Sequence, residues 1–395
     1  MREDSLRYAL LKPLRDGAGA GYRGLSDRLS IFATLLDREL STGLSVDIPF
    51  ERRLWLWRRG FTSRSSALYD LDEDNYRQFV SDLQHERAND IAEPWDTVVS
   101  NKLTFYLLFS SYAEHLPDCY GIVGGGELRR SSPTMPTAPW QAPSDELNGV
   151  ERHDAVRWVD RYLDRREALV LKPIYGHGGR GVFVCRRPEE GEDGADEDGY
   201  LVNGEPKTDA EFSAFLDDLE EYLAWEFARQ ADYADDLYPE STNTLRVLTL
   251  WDYENDEPFV SGAVHRVGTA ESAPVDNWSS GGLSAMVTDD DELSAGAQWL
   301  PEQGEVRWFD THPDTGEPIE GARVPEWSAV RRQIEEMAAE YPSLPRLGWD
   351  IVLTGEGEFV VLEVNAHTAT RTFQVHEPLL DDPRVRAFYE HHGCL

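Results

Sequence analysis

The chain has 395 residues, enough for two or three subdomains, and 74 acidic residues against 38 basic ones give it a formal net charge of −36. An acidic excess of this size argues against nucleic acid or an anionic membrane surface as the main partner. Three widely spaced cysteines, with no apolar run of membrane-spanning length, argue against a disulfide framework, a zinc site and a membrane span. We therefore expect a soluble, cytoplasmic protein.

Lysine is scarce among the basic residues. The chain has four lysines, Lys12, Lys102, Lys172 and Lys207, and its other basic residues are arginines. A carboxylate excess with few lysines is typical of proteins adapted to high salt, which screens charge repulsion, so we expect a halophilic source. Where lysine is avoided on the surface, each lysine that remains is more readily explained by a specific task.

Residues 1–97 are predicted to form a mostly helical N-terminal region. Apolar residues recur at helical spacing between 25 and 40, and the segment Ser5 to Leu14 is amphipathic. Residues 52–61 mix arginine with tryptophan, which in so acidic a chain favours a half-buried amphipathic segment over a nucleic-acid stack.

Residues 98–150 are predicted to contain a short helix and a proline-rich linker. Ser100 or Asn101 is a plausible N-cap, which places Lys102 in the first helical turn. A lysine there is electrostatically unfavourable against the helix dipole unless an anion lies close by. A solvated lysine is an equally good interpretation of this residue alone.

The stretch from Ala168 to Arg187 is predicted to be a strand, a glycine loop and a second strand. An apolar run ends in Lys172, and the loop after it is Gly176, His177, Gly178, Gly179, Arg180 and Gly181. Glycines let backbone N–H groups approach an anion closely, and Lys172 adds a fixed charge nearby. The β-prone residues that follow argue against the dinucleotide fingerprint, which needs a helix there, and so disfavour a nicotinamide oxidoreductase. A plain glycine-rich hairpin remains the alternative.

The second half of the chain is predicted to be rich in strands. A short apolar strand carries Trp225 and Glu226, and two later strands carry Arg246 and Arg266. Asp276, Asn277, Gly281 and Gly282 belong to a polar glycine loop, which is either a substrate-binding loop or an ordinary turn. His265, His367 and His376 are candidate acid–base helpers, although structural histidines are more common.

A carboxylate-bearing hairpin is predicted over 347–364. Asp350 interrupts its first apolar strand, and Glu363 and Asn365 lie two residues apart, on one face of the second. Three oxygen ligands without histidine or cysteine suit Mg²⁺, because two buried carboxylates are costly without a cation. The alternative places these side chains at a sheet edge in water.

These pieces in this order resemble the ATP-grasp superfamily. The segments NTLRVLTL, VDNWSSGG, HPDTGEPIEGARVPEW and GWDIVL…VVLEVN are similar to its sugar-transfer-associated group, which is related to α-L-glutamate ligases, and the resemblance spans residues 50 to 375. It implies an α+β ATP-grasp fold, in which two α+β subdomains bind ATP between them. The N-terminal helical region precedes these subdomains in the chain. The domains implied are 1–97, helical; 98–150, a pre-grasp segment and linker; 151–230, the N-subdomain; 231–375, the C-subdomain; and 376–395, a tail helix.

The resemblance also implies roles for the candidate residues. Lys102, Lys172 and the glycine loop would bind the ATP phosphates, and the segment at Trp225 and Glu226 would hold adenine. Asp350, Glu363 and Asn365 would hold one or two Mg²⁺ ions, with Mn²⁺ as a substitute. Arg246 and Arg266 would act on the transferred phosphoryl group as catalytic residues.

The expected function is ADP-forming ligation of a small-molecule carboxylate to an amine or a sugar-linked acceptor through an acyl phosphate, in cell-surface polysaccharide synthesis. One alternative is an ATP-dependent phosphotransferase on a sugar or small acid. An alternative of another class is a non-catalytic nucleotide-binding regulator. The acid, the acceptor and the oligomeric state do not follow from the sequence.

Overall fold

The computed structural model describes residues 31–40, 46–141, 149–176, 180–188, 199–301 and 303–395. The helix predicted from Ser5 to Leu14 and the loop residues His177, Gly178 and Gly179 lie outside these ranges. The strands are β1 Cys119–Gly124, β2 Glu127–Arg130, β3 Glu151–Asp154, β4 Ala168–Pro173, β5 Phe183–Arg186, β6 Tyr200–Val202, β7 Glu205–Lys207, β8 Tyr222–Glu226, β9 Thr244–Asp252, β10 Glu257–Val267, β11 Leu283–Met286, β12 Gly296–Leu300, β13 Glu305–Phe309, β14 Arg346–Leu353 and β15 Phe359–Asn365.

Helices cover the faces and ends of these strands. Residues 31–40 are helical, and the helices after them are Phe50–Trp57, Ser65–Leu68, Asp82–Ala88, Asp96–Ser100, Lys102–Leu108, Ala155–Leu163, Asp209–Asp218, Asp232–Leu237, Trp327–Ala339, Arg371–Gln374 and Pro383–His391. None of the helices in the described ranges is long and apolar enough to cross a membrane.

The strands form two antiparallel sheets. The first has eight strands in the order β3-β2-β1-β8-β4-β5-β6-β7, and the second has seven in the order β13-β12-β11-β10-β9-β14-β15. In the first sheet, β4 pairs with β5 across the glycine loop, and Leu169 lies opposite Cys185. The predicted strand, loop and strand are thereby confirmed.

The carboxylate hairpin is the edge of the second sheet. Asp350 on β14 lies opposite Glu363 on β15, with a bulge after Asp350. On its other side β14 pairs with β9, which places Asp350 opposite Arg246. Every residue of β14 is buried, because the strand lies inside the sheet and its apolar side chains pack on both faces.

Hydrophobic clusters join the two sheets and attach the N-terminal region. Trp225 and Val170 of the first sheet share one cluster with Val247 and Trp349 of the second. A separate cluster packs residues 56–79 of the N-terminal region against Trp278 and Trp299, with further residues around them. The N-terminal region therefore packs on the second sheet, beside the polar loop that holds Trp278.

Several strands were not predicted from the sequence. β2 lies in the segment predicted to contain a short helix and a linker, and β3 has the sequence ERHD. β2 and β3 are short and charged because they lie at the edge of the first sheet, where alternating apolar residues are not required. β6, β7, β12 and β13 are likewise short strands at or near sheet edges.

Candidate active site

A cleft of about 400 Å³ is lined by residues from both sheets. Its basic lining residues are Arg64, Lys102, Lys172, Arg180, Arg246, Arg266 and Arg371, and its acidic ones are Glu226, Asp276, Asp350 and Glu363. Seven basic side chains against four acidic ones make the cleft net positive in a chain whose formal charge is −36. Such a cleft attracts an anionic ligand.

Lys102 joins the start of a helix to the glycine loop. Asn101, one of the two predicted N-cap candidates, is the N-cap, and its side chain accepts hydrogen bonds from the backbone N–H groups of Leu103 and Thr104. The Nζ of buried Lys102 donates to the carbonyl oxygen of Gly176 at 2.7 Å and lies 3.5 Å from Glu363 Oε2. The lysine thus sits between the loop and a carboxylate, which leaves it within reach of an anion that both would surround.

Lys172 ends β4 inside the cleft. Its Nζ lies 4.6 Å from the centroid of the Trp225 ring, a cation–π contact that stabilises the ammonium group. Burial lowers the pKa of Lys172 to about 8, and the charge of Lys102 adds to this effect while Glu363 opposes it. Two like charges that are kept close in a partly dry cleft are typical of a site that binds a polyanion.

The glycine loop lines the cleft at Gly176 and Arg180. Gly181 closes the loop with a φ of +71°, and a Cβ there would lie 3.0 Å from the hydroxyl oxygen of Tyr222. Both the backbone conformation and the close approach therefore favour glycine at 181.

Arg246 and Arg266 both contact Asp350. Arg246 donates from Nε to Asp350 Oδ1 and from Nη2 to Oδ2 at 2.8 Å, a bidentate pair. The Nη2 of Arg266 lies 3.3 Å from Asp350 Oδ1. Burial alone would raise the pKa of Asp350, but the two guanidinium groups outweigh it, so the pKa lies below its usual range.

The predicted metal ligands differ in how available they are. The Nδ2 of Asn365 donates to Glu363 Oε1 at 2.8 Å, which leaves the amide oxygen of Asn365 for a cation. Both oxygens of Asp350 are bonded to Arg246. No group of three or more His, Cys, Asp or Glu in the described residues could hold a metal ion. Mg²⁺ needs only one or two carboxylates besides phosphate oxygens and waters, so Glu363 and Asn365 fit this ion.

The polar glycine loop is anchored through Asp276. Its Oδ2 accepts from the backbone N–H of Thr244 at 2.9 Å and lies 3.4 Å from Arg266 Nε. Burial raises the pKa of Asp276, and Arg266 opposes that rise. Gly282 packs on this turn, because a Cβ there would lie 2.7 Å from the Asp276 carbonyl oxygen. Gly282 therefore shapes the loop, and both Asp276 and Asn277 line the cleft.

The two residues predicted to hold adenine face different surroundings. Trp225 is fully buried, so its side chain belongs to the core and to the contact with Lys172. Glu226 lines the cleft together with Phe227 and Ala228. Burial raises the pKa of Glu226, and the nearby Asp118 adds to the rise. Glu226 thus remains the candidate for contact with a ligand.

Two of the candidate histidines are buried or partly buried in hydrogen-bonded positions. His265 contacts the hydroxyl group of Tyr233 at 2.9 Å, and burial lowers its pKa to about 4. His376 lies between Ser284 and Ser294, and burial lowers its pKa to about 4 as well. His367 lies 3.5 Å from Asp96. None of the three lines the cleft.

Four cleft or near-cleft residues escaped the sequence reasoning. Thr244 bonds Arg266 through its hydroxyl group at 3.0 Å, and Thr368 accepts from Arg246 at 3.1 Å. Arg64 and Arg371 line the cleft from segments distant in sequence from the glycine loop. No motif or spacing in the sequence distinguishes the two arginines from the many others on the chain, or the two threonines from ordinary polar residues.

The cleft thus brings part of a glycine loop and two lysines together with carboxylates from the second sheet. The family described as sugar-transfer associated ATP-grasp matches residues 95–382, and the chain belongs to this family. The expected ATP-grasp fold is thereby confirmed. A search of curated proteins gives no match to the chain.

Solved structures of other proteins are similar at low identity. The D-alanine-D-alanine ligase from Coxiella burnetii is 12% identical with a TM-score of 0.31, over 75% of this chain and 59% of that one. The N5-carboxyaminoimidazole synthetase from Staphylococcus aureus is 8% identical with a TM-score of 0.37, over 74% of this chain and 52% of that one. The chain thus spans between half and two thirds of these proteins, and similarity this distant carries no argument about its activity.

Proposed function

We propose that this protein is an ATP- and Mg²⁺-dependent ligase that joins a carboxylate to an amine through an acyl phosphate and releases ADP. The observation that supports it most is the convergence of Lys102 and Lys172 on the cleft, opposite Glu363. These are two of the four lysines in the chain, and Lys102 is bonded to the glycine loop. Membership of the ATP-grasp family supports the choice of ATP as the polyanion.

In this proposal the first sheet binds the nucleotide. Lys102 and Lys172 neutralise the phosphates, and the backbone of the glycine loop covers them. The cleft surface at Glu226, Phe227 and Ala228 receives the adenine ring, since it combines a carboxylate with apolar contacts. ATP then lies with its terminal phosphate toward the second sheet, where Arg246, Arg266 and Glu363 line the same cleft.

The second sheet supplies the divalent cation site and the catalytic arginines. Glu363 and Asn365 would hold Mg²⁺, or Mn²⁺ in its place, and Asp350 would join them for one or two ions only if it released Arg246. When bound there, Mg²⁺ would supply positive charge beside the phosphates. Arg266, held by Thr244 and Asp276, keeps a guanidinium group oriented beside that phosphoryl group.

The chemistry needs positioning more than a nucleophilic side chain. A carboxylate oxygen of the acid attacks the terminal phosphorus, and the bond to the bridging oxygen of ADP breaks. The amine nitrogen then attacks the acyl carbon, the amine loses a proton, and inorganic phosphate leaves. The cationic cleft stabilises the charge that develops in both steps.

The proposed setting is cell-surface polysaccharide synthesis in the cytoplasm of a halophile, with a small acid and an amine or sugar-linked acceptor. The family's association with sugar transfer supports the glycan link. The net charge of −36 and the scarcity of lysine support the high-salt setting.

The test is ATP turnover in molar KCl with Mg²⁺, pooled amino acids and sugar acids, and hydroxylamine as the trap. We expect ADP together with a hydroxamate, and the loss of both in Lys172→Ala and Glu363→Ala. ADP without hydroxamate would favour a phosphotransferase. Failure of the folded wild-type protein to bind Mg·ATP would contradict the proposal.

A further inference from the structure

A second group of cations lines the cleft apart from the lysines. Arg64 comes from the N-terminal region, outside residues 95–382 that the family match covers, and Arg371 follows β15. Among charged groups, Arg371 and then Asp82 have the strongest effect on the pKa of Arg64, and Asp82 has the strongest effect on the pKa of Arg371. The charged groups that affect the pKa of Lys172 are instead Glu363, Lys102 and Asp350. Arg371 also bonds Asp82, whereas Lys102 lies beside Glu363, so we treat Arg64 and Arg371 as a second group and call it the distal arginine pair.

Arg64 is held in the cleft wall with part of its guanidinium group unbonded. Its Cζ lies over the buried Trp299 ring, 4.8 Å from the ring centroid, in a cation–π contact that stabilises the charged group. Its buried Nε has no hydrogen-bond partner among the described residues. Burial lowers the pKa of Arg64 to about 10, so the group is charged at neutral pH. A buried, charged donor without an acceptor is costly unless a ligand supplies one.

Asp82 neutralises only one charge of the distal arginine pair. Its Oδ1 accepts from Arg371 Nη2, and its Oδ2 accepts from the backbone N–H of Thr62 at 2.7 Å and from Ser65 Oγ at 2.7 Å. Asp82 is therefore saturated, and one positive charge remains. Thr372 also lines the cleft, and its buried Oγ1 has no partner among the described residues.

The segment after β15 connects this end of the cleft to the cation site. Asn365 ends β15, and the helix Arg371–Gln374 begins six residues later. Between them Thr368 accepts a hydrogen bond from Arg246, which holds this segment beside Arg246. A small molecule whose reacting group lies near Arg246 could thus extend along this segment to Arg371.

We propose that the distal arginine pair, with Thr372, binds a second anionic group of the acid substrate. The substrate would then be a dianion, with one carboxylate for activation and a second carboxylate or a phosphate held at Arg64 and Arg371. This inference rests on the proposed function, because it assumes that the reacting carboxylate lies at the ATP end. A guanidinium pair suits either group, since both accept two parallel hydrogen bonds.

The test compares acids that carry a second anionic group with relatives that lack it. The pairs are glutamate and glutamine, succinate and succinamate, phosphoglycerate and glycerate, and galacturonate 1-phosphate and galacturonate. Each acid is titrated calorimetrically into the wild-type protein in KCl, with and without Mg·ADP, and is also tested for hydroxamate formation. We expect saturable binding only from acids with a second anionic group. Comparison of the carboxylate pairs with the phosphate pairs shows whether that group is a carboxylate or a phosphate.

The variants are Arg64→Gln, Arg64→Lys and, as the matched control, Arg58→Gln, which removes an exposed arginine of the same region. We expect Arg64→Gln to raise the Kd and KM of the dianion about 10- to 100-fold, Arg64→Lys to restore part of the loss, and Arg58→Gln to match the wild type. Equal binding of the two members of a pair, binding of no dianion, or equal effects of Arg64→Gln and Arg58→Gln would overturn the proposal.

The two proposals fail in different ways. Dianion binding without Mg·ATP binding would count against the ligase and leave the anion site intact. Mg·ATP-dependent hydroxamate formation from neutral-tailed acids as readily as from dianions would keep the ligase and overturn the anion site. If Arg64→Gln did not fold, the comparison of paired acids on the wild-type protein would still decide.

Discussion

The Nζ of Lys102 donates a hydrogen bond to the carbonyl oxygen of Gly176 at 2.7 Å, across 74 positions of sequence. The backbone N–H of Lys102 also donates to the carbonyl oxygen of Ile174 at 3.0 Å. Lys102 therefore connects the start of its helix to the residues at the start of the glycine loop through two hydrogen bonds. Only the first of these bonds depends on the side chain.

Replacement of Lys102 by methionine should separate the two contributions of this residue. The backbone bond to Ile174 persists in Lys102→Met, so we expect a folded protein, but the loop anchor and one charge near the phosphates are lost. We expect kcat/KM for ATP to fall about 100-fold. Lys207→Met is the matched control, since Lys207 lies on β7 and does not line the cleft. Equal losses in the two variants would contradict the assignment.

The affinity for Mg·ATP should depend on the protonation of Lys172. Burial lowers the pKa of this residue to about 8, so the ammonium group is charged below that pH and neutral above it. The charged form attracts the phosphates, so the Kd for Mg·ATP should rise as the pH increases from 7 to 9.5, with the change centred near or above 8. Calorimetric titration across this range measures it.

The control for this pH profile is Lys172→Arg, whose guanidinium group stays charged throughout the range. We expect its Kd to be flat with pH even if it is weaker overall. If the Kd of the wild-type protein were also constant with pH, or fell as the pH rose, Lys172 would not contact the phosphates.

The sequence allowed the order of the functional pieces to be predicted because each piece is local. The glycine loop with Lys172 and the hairpin with Asp350 and Glu363 lie within short stretches where period and turn chemistry determine the geometry. An N-cap at Ser100 or Asn101 could be predicted for the same reason, and the structure has it at Asn101. These features need no knowledge of distant contacts.

The parts that the sequence did not reveal depend on distant contacts. The pairing of Arg246 with Asp350 joins β9 to β14, which are separated by about a quarter of the chain, and it turns an expected metal ligand into an ion-pair partner. Arg64 reaches the cleft only because the N-terminal region packs around Trp299. Short charged strands such as β3 have no apolar period that would identify them.

The two carboxylates of the hairpin should contribute unequally to cation binding. Both oxygens of Asp350 accept from Arg246, whereas Glu363 is bonded to Asn365 and lies near Lys102. We expect Glu363→Gln to weaken Mn²⁺ binding to the ADP complex about 10-fold or more, and Asp350→Asn to weaken it less. Electron paramagnetic resonance of free Mn²⁺ measures the binding without turnover. A larger effect of Asp350→Asn would contradict this order.

Asp350 should instead matter for stability. Its pKa lies below the usual range in the folded protein, so its stabilisation is complete above about pH 4 and declines as the pH falls through the folded value. We expect Asp350→Asn to lower the free energy of unfolding at pH 7 by about 3 kcal/mol, because two buried guanidinium groups lose their partner. Urea unfolding measures this difference, which should narrow below pH 4. A constant gap down to pH 3 would contradict the ion-pair interpretation.

Asp82 should couple the stability of the N-terminal region to the charge at the far end of the cleft. Burial would raise the pKa of this carboxyl group, but Arg371 and the amide of Thr62 hold it well below its usual range. Asp82→Asn should therefore lower the free energy of unfolding at pH 7 by about 3–5 kcal/mol, with Asp74→Asn, an exposed neighbour, as the control. The gap should narrow as the pH falls below about 4, where the unfolded carboxyl group takes up its proton.

The same variant makes a second prediction of opposite sign. Because Asp82 neutralises one guanidinium group of the distal arginine pair, Asp82→Asn should leave Arg64 and Arg371 with a larger net positive charge. The folded variant should bind dianions more tightly than the wild type in calorimetric titration, although it is less stable. Loss of stability with weaker dianion binding would mean that Asp82 positions Arg371 for the ligand, and unchanged binding would place the ligand elsewhere in the cleft.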